Sequence, residues 1–88
     1  MGRTPAGIAA TRAVVLDPLN RDNYGDLAYA LYFARQYDEA IGALNEDLAL
    51  DPDDSVAYGL RGLSYYALGN LENARASCET RANKTEHQ

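Results

Sequence analysis

At 88 residues, with 47% hydrophobic and 24% charged, the chain has the size and composition of one small globular domain. Its formal charge of −5 comes without a basic stripe, which argues against nucleic-acid phosphates or anionic lipid as partners. No uncharged apolar run approaches the roughly 20 residues of a membrane span, the N-terminus has no signal-peptide core, and Cys78 has no second cysteine to pair with, so a soluble, cytoplasmic protein is expected.

In chain order, the first expected helix covers about 5–16 and ends at Leu16-Asp17-Pro18. Tyr24, Leu27, Ala28 and Leu31 then recur at helical spacing and predict a second helix over about 22–34. A turn at Arg35-Gln36-Tyr37 leads to Asp38, the expected cap of a third helix that runs to about Leu50 with Ile41, Leu44 and Leu48 inward. Pro52 stops that helix, and Asp54 or Ser55 caps a fourth that ends near Leu68. Gly69-Asn70 makes the turn into a fifth helix, from Leu71 to about Asn83.

These elements repeat. Leu16-Asp17-Pro18 returns as Leu50-Asp51-Pro52, 34 positions on. The same offset carries Ala6 to Ala40 and Ala40 to Ala74, Tyr24-Gly25 to Tyr58-Gly59, and Tyr32 to Tyr66. The first copy reads Tyr24-x2-Leu27-Ala28-x2-Leu31, then Ala40-x3-Leu44 and Pro52. The second reads Tyr58-x2-Arg61-Gly62-x2-Tyr65, then Ala74-x3-Cys78. In period, residue class and spacing this resembles the tetratricopeptide repeat, over nearly everything from Ala6 to about Arg81.

The resemblance implies an all-α, right-handed superhelical solenoid of antiparallel helix pairs. The expected inventory is a lone second-type helix (5–16), one repeat (21–54) and a terminal repeat with a polar tail (55–88), together one domain. Ala28 with Ala40, and Gly62 with Ala74, are the small residues that let paired backbones approach. Two and a half repeats is short of the about three such arrays usually need. At the far end, Ala82 and Lys84 replace Leu48 and Leu50, so the array is expected to finish there. At the near end Ile8, Ala9 and Val15 lack a partner helix. Either this is the C-terminal end of a longer protein, or the open face of the first helix is covered by self-association.

In the resembled family the first helix of each pair lines a concave groove that holds peptides or helices. The residues placed there are Asp22, Asp26, Tyr29, Tyr32 and Phe33 from one repeat, and Leu60, Leu63 and Tyr66 from the next, with Gly25, Val56 and Gly59 between them. An aromatic, apolar groove with a small acidic corner suits a protein or peptide segment with apolar anchors. The competing assignment makes Tyr32 and Tyr66 packing residues and sets Leu60 and Leu63 against a neighbouring chain. A subclass of the family clamps chaperone C-terminal carboxylates with Lys, Arg and Asn. Gly25, Tyr29, Val56 and Leu60 stand at those places, so that activity is disfavoured. The run from Tyr29 to Arg35, followed by Tyr37-Asp38-Glu39-Ala40, is loosely similar to arrays appended to bacterial regulatory proteins. A structural or self-association segment of such a protein is therefore the alternative to a binding scaffold.

Asp47 and Arg61 are charges at positions that are apolar one repeat earlier (Ala13 and Leu27), and they are expected to form an inter-repeat salt bridge. Cys78 occupies the place of Leu44 and is expected in the core. With one histidine, His87, and no Cys–His or Ser–His–Asp arrangement, neither catalysis, a metal nor a cofactor is expected.

Overall fold

The computed structural model describes residues 5–86. Five helices follow one another: α1 Pro5–Leu16, α2 Arg21–Phe33, α3 Tyr37–Leu50, α4 Ser55–Ala67 and α5 Leu71–Glu86. Their number and order are those expected, with α5 continuing beyond Asn83. His87 and residues 1–4 lie outside the described residues.

The turns follow from local chemistry. Asn20 caps α2 by accepting from the Asp22 amide at 3.0 Å, and Asp54, its counterpart 34 positions on, caps α4 by accepting from the Ala57 amide at 3.3 Å. The ends of α2 and α4 also correspond. Arg35 and Gly69 hold left-handed backbone at φ 63° and 81°. The next residue closes each loop, Gln36 donating to the Leu31 carbonyl and Asn70 to the Tyr65 carbonyl. Asp38 is not the cap of α3. That helix begins at Tyr37 after Gln36, whose side chain makes no capping bond, and Asp38 is an acidic residue within the first turn.

Each helix packs on the next, and α2 also touches α4. Among the described residues α1 does not reach α3, nor α3 reach α5. An array whose members touch on one side and splay on the other is curved, so α2 and α4 line its inner side. The whole measures 34 × 28 × 14 Å.

Ala28 and Ala40, both fully buried, let α2 and α3 approach; Leu31, Leu44, Leu48, Ala57 and Leu60 fill the space from α2 to α4. Each large aliphatic side chain so buried contributes about 1.5–3 kcal/mol. Between α4 and α5 the small residue is Gly62, where an added Cβ would come within 2.8 Å of the Cys78 sulfur. Cys78 itself is exposed, contrary to expectation. Leu44 is enclosed because α4 covers α3, whereas no described helix packs on α5 beyond α4. At the opposite end, Ile8, Val15, Leu16 and Leu19 are exposed on and after α1.

Candidate protein-interaction groove

Two adjoining hollows lie between α2 and α4 on the inner face. The larger, about 530 Å³, is lined by Tyr29, Tyr32 and Phe33 of α2, Val56, Gly59, Leu60 and Leu63 of α4, and Cys78 and Arg81 of α5. Its walls are mostly carbon, and four large apolar side chains stand open to solvent: Tyr29 42%, Phe33 77%, Val56 56% and Leu63 53%. The aromatic wall is braced internally. Tyr29 and Phe33 stack at 6.4 Å between ring centroids, and Tyr32 meets Phe33 edge-on at 5.6 Å and Tyr37 at 5.5 Å.

The smaller hollow, about 330 Å³, lies where α2 and α4 begin, and shares Tyr29, Val56 and Leu60 with the first. Arg21, Asp22, Gly25, Asp26, Asp47 and Asp54 complete it with Leu44 and Ala57. The structure thus brings Asp22, Asp26, Tyr29, Tyr32, Phe33, Leu60 and Leu63 together around one continuous depression. Tyr66 is not among them: it lines neither hollow and is 68% exposed on α4.

The expected Asp47–Arg61 salt bridge is absent. Arg61 donates from Nε to the Ser77 hydroxyl at 3.2 Å and from a terminal nitrogen to the Asn45 side-chain oxygen at 2.8 Å, with its guanidinium 5.1 Å from the centre of the Tyr58 ring. It therefore links α3, α4 and α5. Asp47, only 2% exposed, lies on the other side of α3 against Gly25 and Asp54, and its Oδ1 has no hydrogen-bond partner. Burial pushes the Asp47 carboxyl up to about 7, and the Asp54 carboxyl adds to the rise by hydrogen bonding and by charge. Arg21 pulls the other way, but that guanidinium is engaged by Asp51 and Asp54, each at 3.1 Å, and by Asp22 at 3.4 Å.

Two partners of this region were not visible in the pattern. Arg81, whose side chain lies over Gly59, closes the far end of the groove. Lys84 binds Asp53 at 2.8 Å, which raises the ammonium pKa and ties the end of α5 to the turn before α4. The 34-residue frame aligns helices within pairs and carries no information about contacts such as these.

No family model matches the chain. A TPR repeat-containing protein of Methanocaldococcus jannaschii is 38% identical over 52 residues, covering 59% of this chain and 9% of that protein. Solved structures of MamA superpose closely: one has TM-score 0.87 with 26% identity over 92% of this chain, and another, of MamA MSR-1, has 0.86 with 23% identity over 89%. The repeat is of the tetratricopeptide type.

This chain spans 47% and 45% of those two MamA chains, so the tetratricopeptide array here corresponds to under half of theirs. The tetratricopeptide fold is that of a protein-interaction scaffold, a class generally without catalysis. Among the described residues no group of three or more histidine, cysteine or acidic side chains is placed to hold a metal ion, and no helix is long and apolar enough to cross a membrane.

Proposed function

We propose that the inner face of α2 and α4 holds a helix or extended segment of a partner protein, through apolar anchors seated in the larger hollow. The observation that carries this reading is the exposure of Tyr29, Phe33 and Leu63 around one depression of about 530 Å³. Exposed apolar surface concentrated in a concavity is costly to leave in water and favours a bound segment. The acidic mouth beside it, and the absence of a basic residue at Gly25, Tyr29, Val56 and Leu60, disfavour a carboxylate-terminated ligand.

Selection of displayed peptide segments on the immobilised chain tests the reading. Binders are expected whose affinity falls at least about 10-fold with Leu63→Asp, since a buried uncompensated carboxylate replaces an apolar contact, while circular dichroism stays unchanged. Tyr66→Asp, outside both hollows, is expected to do less. Binders indifferent to Leu63→Asp would refute it.

A second reading, self-association through α1, is favoured by the exposed Ile8, Val15 and Leu16. Light scattering that gives a monomer at all concentrations would exclude it.

A further inference from the structure

We propose that the smaller hollow, between the first turns of α2 and α4, is a receptor for one cationic side chain, a guanidinium or ammonium, carried by the partner segment; this rests on the groove reading above. The hollow is lined by four carboxylates, Asp22, Asp26, Asp47 and Asp54, against one guanidinium, Arg21. Arg21 is already shared among Asp22, Asp51 and Asp54, so it does not satisfy the fourth wall.

That wall is Asp47. Its side chain is 2% exposed, it lines the hollow, and its Oδ1 lacks a hydrogen bond. A buried carboxylate oxygen without a donor is the kind of defect a folded chain removes unless the donor arrives from outside. Arg61, the cation expected to satisfy it, is engaged elsewhere by Ser77 and Asn45. Opposite Asp47 stands Gly25, where even a Cβ would lie 3.5 Å from Asp47 Oδ2, so no side chain at that position fills the space.

The chemistry selects an organic cation. Among the described residues the carboxylates do not converge as a metal site, whereas a guanidinium or ammonium on an alkyl stem can lay its carbons on Tyr29, Val56 and Leu60 and its charge on Asp47. Because these three residues also line the apolar hollow, the basic residue sits beside the apolar anchors of the same segment. The groups facing Asp47 are Arg21, Asp22 and Asp26 from α2, and Asp51 and Asp54 from the turn into α4. Asp47 becomes protonated near neutral pH, so affinity for a cation rises as pH increases through that range.

Titration of the full chain with n-butylguanidinium at pH 8, followed by amide NMR shifts, tests the inference. Saturable shifts are expected at Gly25, Asp47, Ala57 and Leu60, with none from neutral n-butylurea. Binding should weaken about 10-fold or more with Asp47→Asn, the loss typical of a charge-assisted hydrogen bond, and again on lowering wild type to pH 5.5, which needs no variant. Asp26→Lys, an exposed change at the mouth, should also weaken it. No saturable shift, equal shifts from n-butylurea, or an affinity unaffected by Asp47→Asn would overturn the proposal. So would the same saturable shifts from calcium chloride, which would indicate an inorganic cation. Displayed segments that bind in a Leu63-dependent way but contain no basic residue would sink this inference and leave the groove reading standing.

Discussion

The buried carboxyl of Asp47, near the end of α3, lies within hydrogen-bonding reach of the carboxyl of Asp54, which caps α4. Two acids so placed hold a proton more tightly than either would alone, and the burial of Asp47 adds to the effect. Asp47 therefore binds its proton more tightly when folded (about 7) than when unfolded (3.8). Its contribution to stability is complete below about 4 and is lost as pH rises through about 7. At about 1.4 kcal/mol per pKa unit, the full decline across that window is on the order of 4 kcal/mol. Urea melts of wild type between pH 4 and pH 8 should show it. Asp47→Asn should flatten the profile and raise stability at pH 8.

Arg35 and Gln36 are weaker versions of Gly69 and Asn70. Arg35 holds φ 63° with a side chain that disfavours it, and the Gln36 Oε1 is buried without a partner, whereas Asn70 accepts from the Asn73 amide at 3.3 Å. Arg35→Gly should stabilise by about 1 kcal/mol and Gln36→Asn by a similar amount, about 1 kcal/mol, if it restores the missing cap. Gly69→Ala should cost about 1 kcal/mol. Thermal melts of the three variants check the set.

Arg61 and Asp47 face different neighbours, so their contributions should be independent. Arg61→Met removes hydrogen bonds to Asn45 and Ser77 and should destabilise by about 1–2 kcal/mol. Combined with Asp47→Asn, the two effects should add to within about 0.5 kcal/mol. A larger coupling in a double-mutant cycle would restore the salt bridge that the spacing suggested.

Much of the fold was legible because the repeat states it twice. Tyr24, Leu27, Ala28 and Leu31 declare one helix face, and Ala40 and Ala74 mark the close approaches. The failures share a cause: a 34-residue frame gives the class of environment at a position, and leaves the direction and reach of a polar side chain open. The repeat marks Asp47 and Arg61 as charges at packed positions, yet the long stem of Arg61 carries its guanidinium to Asn45 and Ser77 while the short Asp47 stays beside Gly25. Cys78 has a core address in the repeat, and is exposed because no described helix lies beyond α5. Gln36, with its buried and unpartnered oxygen, shows why Asp38 looked like the cap: the residue preceding α3 lacks the side chain for the task.

The central claim is that the inner face of α2 and α4 is the binding surface. Amide-shift mapping with a selected segment measures it most directly. Changes concentrated at Tyr29, Tyr32, Phe33, Leu60 and Leu63 are expected. Changes concentrated instead on Ile8, Val15 and Leu16 of α1, with the groove residues silent, would contradict it.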